Sequence, residues 1–240
     1  MHSLSRLIVL GASLALSACN SDPIAEPAKA ASAASANNPV VVELFQSQGC
    51  SSCPPANAAL NAIADRKDVI ALSFAVTYWD QLGWKDRFAT PAFTQRQRDY
   101  DRGLRGGGVY TPQVVLNGSR AIVGNGKGEL AKAISETAGV SAGPEISINE
   151  KSAIIGKGSG KATAWLVRFD PKVRDVAIKS GENGGRKLPH RNIVRQLVRL
   201  GDWKGKSVSF TLPAASEAGL RTAILLQSGT GGPILAAKAD

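Results

Sequence analysis

Apolar residues fall into two patterns along the chain. In the first half they run almost unbroken: Val40-Val41-Val42-Glu43-Leu44-Phe45 and Val69 to Val76 (VIALSFAV) read as strands buried on both faces. Between them Pro54-Pro55 opens a helical stretch, Ala56 to Arg66, which makes a β-α-β unit with an expected right-handed crossover. Residues 79 to 105 are polar and carry Trp79, Trp84, Phe88, Phe93 and Tyr100 at irregular helical spacings. They end in Gly106-Gly107-Gly108, and the pattern predicts a helical insertion. Gln113 to Leu116 and Ala121 to Val123 flank Asn117-Gly118, a hairpin signal, and Gly128 to Thr137 reads as a helix.

From about Val140 the pattern changes. Short β-type runs at 146–149, 153–156, 162–170, 173–179, 192–200, 207–212, 221–227 and 234–237 are separated by Gly, Pro and Asp turns. Such spacing predicts a small antiparallel sandwich. The expected fold class is therefore α/β over residues 40–140, followed by a smaller all-β, sandwich-like domain over 141–240.

The N-terminus reads as processing rather than fold. Met1 to Ala18 has a basic start, an apolar middle from Leu7 to Leu16 and small residues at its end, the layout of a removable export signal. Leu16-Ser17-Ala18-Cys19 resembles the lipobox of bacterial lipoproteins, which implies cleavage before Cys19, a lipid on that cysteine and a membrane anchor. The alternative is a soluble secreted protein in which Cys19 is incidental. Asn20 stands where lipoproteins kept at the inner membrane commonly have Asp, so the resemblance implies the periplasmic side of the outer membrane. Residues 19–39, mostly Ala, Ser, Pro and Asn after the cysteine, read as a flexible tether.

With 240 residues, 43% hydrophobic and 20% charged, the remainder can bury a core and is not a disordered chain. Its net charge of +10 is uneven, because residues 141–240 hold 16 basic and 8 acidic side chains. An exported protein without an aromatic stacking platform is not expected to bind nucleic acid. Acidic envelope lipids, an acidic protein partner or simply a solvated basic face remain open.

Cysteine usage narrows the chemistry. Cys19 apart, only Cys50 and Cys53 are present, so at most one intramolecular bridge can form. A bridge across so small a loop adds little chain-entropy stabilisation, which makes the pair a poor staple and a plausible redox couple. Placed at a helix start, Cys50 is expected to be the low-pKa nucleophile and Cys53, deeper inside, the resolving thiol. Ser51-Ser52 between them would tune the potential. Structural zinc needs about four ligands, whereas two thiols and His190 are on offer, so no metal or other cofactor is expected. The loop 181–192 (GENGGRKLPHRN) holds that histidine; folded over Cys50, His190 or Arg191 could stabilise a thiolate, and a plain surface loop is the alternative. Within the insertion, Trp79, Trp84 and Phe88 either pack helices onto the sheet or, with Lys85 and Arg87, form a lid that meets protein substrates.

The order of strand, Cys50-Ser51-Ser52-Cys53-Pro54, helix, strand and Thr111-Pro112 entering a hairpin resembles thioredoxin. The resemblance implies that Pro112 is cis and lies against the cysteine pair beside Thr111. It also implies that Glu43 is the buried acid that takes a proton from Cys53, with one extra residue in the turn; an edge-facing Glu in water or a structural hydrogen bond is the alternative. The stretches Val42 to Pro55 and Gly108 to Gln113, continued at Gly181-Glu182-Asn183 and Leu188-Pro189-His190, more closely resemble a family of exported bacterial thioredoxin-like proteins of unassigned function. Together these resemblances imply an envelope thiol-disulfide oxidoreductase that exchanges disulfides with protein partners. A Cu(I)-binding chaperone and a catalytically inactive adaptor are the alternatives.

Overall fold

The structure, a computed structural model, describes residues 38–139 and 143–240. The expected export signal, Cys19 and nearly all of the tether lie outside the described residues. In the first half, strand β1 (Val40–Gln46) leads through the cysteine turn into helix α1 (Cys53–Ile63) and back to β2 (Val69–Ala75), parallel to β1. A 3-10 turn (Asp80–Leu82) and helix α2 (Pro91–Gly103) come next, then the hairpin β3 (Gln113–Leu116) and β4 (Arg120–Ile122) and helix α3 (Lys127–Thr137). Asn117 and Gly118 at the hairpin turn both have positive φ, the conformation that Asn-Gly favours.

The second half contributes β5 (Ile146–Ile148), β6 (Ser152–Ile155), β7 (Ala162–Asp170), β8 (Arg174–Ala177), β9 (Lys187–His190), β10 (Ile193–Trp203), β11 (Val208–Thr211), β12 (Arg221–Gln227) and β13 (Ile234–Ala239). These strands do not build a sandwich of their own. β10 pairs in parallel with β2 at Ile193 and Ser73, so both halves share one mixed eight-stranded sheet of order β13-β12-β7-β10-β2-β1-β3-β4. The reason is local: Ser73 N–H donates to Asn192 O and Asn192 Nδ2 to Ala71 O, satisfying an edge of β2 that would otherwise be open. Layered β packing does occur, since β5, β6 and β11 form a second sheet over Ala164, Leu166, Trp203, Ile224 and Leu226 of the large one. Its broad layer is the common sheet.

Alternation along β1 assigns the faces. Val40, Val42 and Leu44 meet Ala59 and Leu60 of α1 and Leu130 and Ile134 of α3. Val41 and Phe45 turn the other way, toward Phe74, Phe93 and Tyr100, and this cluster continues into Val167, Phe169 and Val194 of the second half. Phe74 packs between Phe45 and Phe93, with both ring pairs 5.3 Å apart. Each fully buried ring of this kind is worth about 1.5–3 kcal/mol, so helix α2 is a core element bridging the halves.

The turn between β12 and β13 closes onto α2 at backbone distance. A Cβ on Gly231 would stand 1.9 Å from Asp99 O, which is why no side chain fits there. Glycine at 231 therefore serves packing as well as its positive φ.

Candidate functional site

Cys50 and Cys53 form a disulfide with Cα atoms 5.4 Å apart, at the carboxyl end of β1. Helix α1 begins at Cys53 with Ser52 as its N-cap, so Cys50 sits in the preceding turn and not on the helix itself. Cys53 N–H closes that turn onto Cys50 O at 3.2 Å. The expectation that Cys50 would be the more accessible thiol does not hold: Cys50 is 0% and Cys53 1% exposed. Only Ser51 and Ser52 of the turn reach solvent.

Two segments cover the pair. On one side Thr111–Pro112 is a cis peptide, with Thr111 O 3.8 Å from Cys50 Sγ. Thr111 is held by Trp79, whose indole N–H donates to its Oγ1 at 2.8 Å. On the other side lies Ser180 to Asn183, more than 130 residues away in sequence. Asn183, fully buried, donates through Nδ2 to Gln48 O at 2.9 Å and to Cys50 O at 2.8 Å, and its Oδ1 accepts from Arg186. Glu182 Oε2 accepts from Ser51 N–H at 3.0 Å, and hydrogen bonding to Ser51 holds its carboxyl below the usual carboxylate range. Ser180 Oγ donates to Gly83 O. The loop containing residues 181–192 does fold back over the cysteine turn, but through Glu182 and Asn183. Arg191 instead pairs with Asp65 at the far end of α1.

Beneath the turn, Trp84 Nε1–H donates to Gln48 Oε1, and Gln48 N–H to Asp86 Oδ2. The two indoles thus touch the residues that hold the cysteines, while the guanidinium groups of Arg87 and Arg195 lie 4.9 and 5.0 Å from the centre of the Phe88 ring. Asp86 also accepts from Phe88 N–H; burial pushes its carboxyl up to about 6, against the effect of these two bonds. His190 is 2% exposed, and burial, aided by Arg87, pushes its imidazole down to about 4. The imidazole is therefore neutral at pH 7. Pro189 O, beside it, accepts from Asn57 and Asn61 of α1, which docks β9 on that helix.

Glu43 requires a correction. Its parity on β1 turns it away from α1 and onto the α2 face, where Arg96 binds it through Nε at 2.6 Å and through a second guanidinium nitrogen at 3.1 Å. Tyr100 O–H donates to the same carboxylate, and Arg96 reaches Gln227 of β12. This buried pair ties β1, α2 and β12 together, and losing one partner would leave an uncompensated charge. The expected relay from Cys53 to Glu43 has no geometric basis.

In chemical terms, the site is a buried disulfide held between a Thr-Pro segment and a loop from the other half. Among the described residues no cluster of three or more His, Cys, Asp and Glu side chains is disposed to hold a metal ion, so a soft metal would have the two thiolates alone. Asp86 carried no sequence signal, because only the fold buries it. Asn183 and Glu182 stood out only as part of the 181–192 loop and of the resemblance at residues 181–183, with no role of their own.

No curated protein matches the chain. An X-ray crystal structure of a structural-genomics protein from Agrobacterium tumefaciens is similar, with a TM-score of 0.71 and 33% identity over 83% of this chain and 92% of that one. HBP35 of Porphyromonas gingivalis is similar in fold, with a TM-score of 0.53 and 14% identity over 85% and 75% of the two chains. From residue 41 to residue 227, a span taking in both cysteines, Thr111–Pro112 and Asn183, the sequence matches a family described as protein of unknown function (DUF1223), and the chain belongs to that family.

Proposed function

We propose that this protein is a thioredoxin-like thiol-disulfide oxidoreductase of the bacterial envelope, acting on the thiols and disulfides of other proteins. The observation that carries the reading is the Cys50–Cys53 disulfide set against Thr111–Pro112, with Cys50 Sγ 3.8 Å from Thr111 O. An extended substrate segment lying along residues 110–112 would pair with main-chain groups, so sequence preference is loose, and its sulfur would reach buried Cys50 when the 180–183 loop opens locally. Exposed Leu82 and Tyr110 flank the turn and offer apolar contact to such a segment. Cys50 attacks the substrate disulfide, and Cys53 then attacks Cys50 Sγ to release the product. The export signal and the lipid at Cys19 belong to the same reading, because they deliver the domain to a compartment where disulfides persist.

Trapping tests the reading. Cells expressing Cys53→Ala should accumulate proteins joined through Cys50, and Cys50→Ser should trap none. If Cys53→Ala captures nothing above a Cys50→Ser, Cys53→Ala control, the exchange reading is wrong.

A further inference from the structure

The donors around Cys50 decide in which direction the couple is poised. A helix start usually offers several free N–H groups to a thiolate, and thiolate stabilisation favours the reduced form. Here Pro54 and Pro55 occupy the second and third helical positions and have no N–H to give. Cys53 N–H is spent on Cys50 O and Cys50 N–H on Ser47 O. Ser51 N–H goes to the Glu182 carboxylate, which also sets a negative charge on the peptide that follows Cys50. The Ser52 hydroxyl, 3.3 Å from Cys50 Sγ, is a donor placed beside the sulfur. The first turn of α1 contains no acidic side chain. Charged groups around the loop include Glu182, Arg186, which is engaged with Asn183, buried Asp86 beneath Gln48, and Lys179 and Lys187, which flank the loop in sequence. So sparse a set of donors does not support the strongly acidic Cys50 that a place near a helix start led one to expect.

We infer that Glu182, clamped onto Ser51 by the 180–183 loop, and the Pro54-Pro55 pair together poise the couple toward the disulfide, so that the reduced protein acts as a reductant of protein disulfides. The inference rests on the exchange reading above and adds its direction. In the forward step the Cys50 thiolate bonds to one substrate sulfur as the substrate S–S bond breaks, and the departing thiolate takes a proton from solvent. Cys53 then gives its proton to solvent and attacks Cys50 Sγ, closing the intramolecular bridge and releasing the second substrate thiolate. Two electrons have passed to the substrate, and a donor dithiol of lower potential restores them by the same exchange in reverse.

The test is the equilibrium of the full chain with reduced and oxidised glutathione at pH 7, read for wild type and Glu182→Gln. Glutamine keeps an acceptor for Ser51 N–H and removes the charge; since Glu182 is exposed, folding is not at stake. The constant should move toward the dithiol by about twofold to fivefold, the size of one exposed charge at a helix start, or about 10–20 mV. Thiolate absorbance should show the Cys50 pKa falling in the variant. The difference should shrink in 1 M salt, where the screening length is about 3 Å, a response that a purely structural effect would not show. An unmoved constant, or a shift indifferent to salt, overturns the assignment. Absence of trapped partners would instead remove the exchange reading while leaving this constant measurable.

Discussion

Buried Asp86 and His190 should make opposing contributions to the stability of this protein between about pH 4 and 6.5, and removing either should expose the other. Asp86 ionises at about 6 in the folded chain because burial disfavours its charge. In the unfolded chain it ionises near 3.9, so over that interval the folded state holds the extra proton and acidification stabilises it. His190 is shifted the other way, to about 4 against about 6.5 unfolded. There the unfolded state holds the extra proton, and stability present above about pH 6.5 is lost as pH falls toward 4. Each shift spans roughly two units or slightly more, worth about 3 kcal/mol, and the two terms oppose each other over nearly the same window. Urea unfolding of Asp86→Asn at half-unit steps should therefore show stability falling by about 1.4 kcal/mol per pH unit on acidification, relative to wild type. His190→Phe should show the opposite relative slope. The exposed carboxylates are common to all three proteins and cancel in the comparison. Parallel wild-type and Asp86→Asn curves from about pH 6.5 to 4 would refute the burial argument for Asp86.

The site supports two further expectations. Asn183→Ala leaves the Gln48 and Cys50 carbonyls without their donor, which should cost about 2–4 kcal/mol of stability and speed dithiothreitol reduction of the disulfide by on the order of tenfold. A reduction rate unchanged after correction for global unfolding would show that the 180–183 loop is not what covers Cys50. Mass spectrometry of the protein extracted from membranes should find a diacylglyceryl group on an N-terminal Cys19; a mature N-terminus beyond Cys19 would remove the anchor.

Much of the local structure was legible in the sequence because local causes set it. The β-branched runs at β1 and β2, the prolines opening α1, the Asn-Gly turn after β3 and the short β-type runs of β7 and β12 all act within a few residues. β9 has no such signal, because Lys187-Leu188-Pro189-His190 carries a proline and little apolar surface; it is a strand by virtue of pairing with β8 and docking on Asn57 and Asn61. The cysteine pair and Thr111-Pro112 were readable as a motif. Their cover was not, since Asn183 approaches Cys50 from more than 130 positions away and nothing local records that approach.

By itself, then, the sequence determined the helices and the strands other than β9, the single available disulfide and the chemistry that two thiols can perform. Tertiary structure alone decided that β10 joins β2 and merges the halves, that the parity of β1 sends Glu43 to Arg96 instead of to Cys53, and that Glu182 takes the Ser51 N–H. The physical reason is one of range. Propensity, turn chemistry and side-chain period act over a few residues, whereas burial, pairing and the sharing of a hydrogen-bond donor are settled only when distant segments meet.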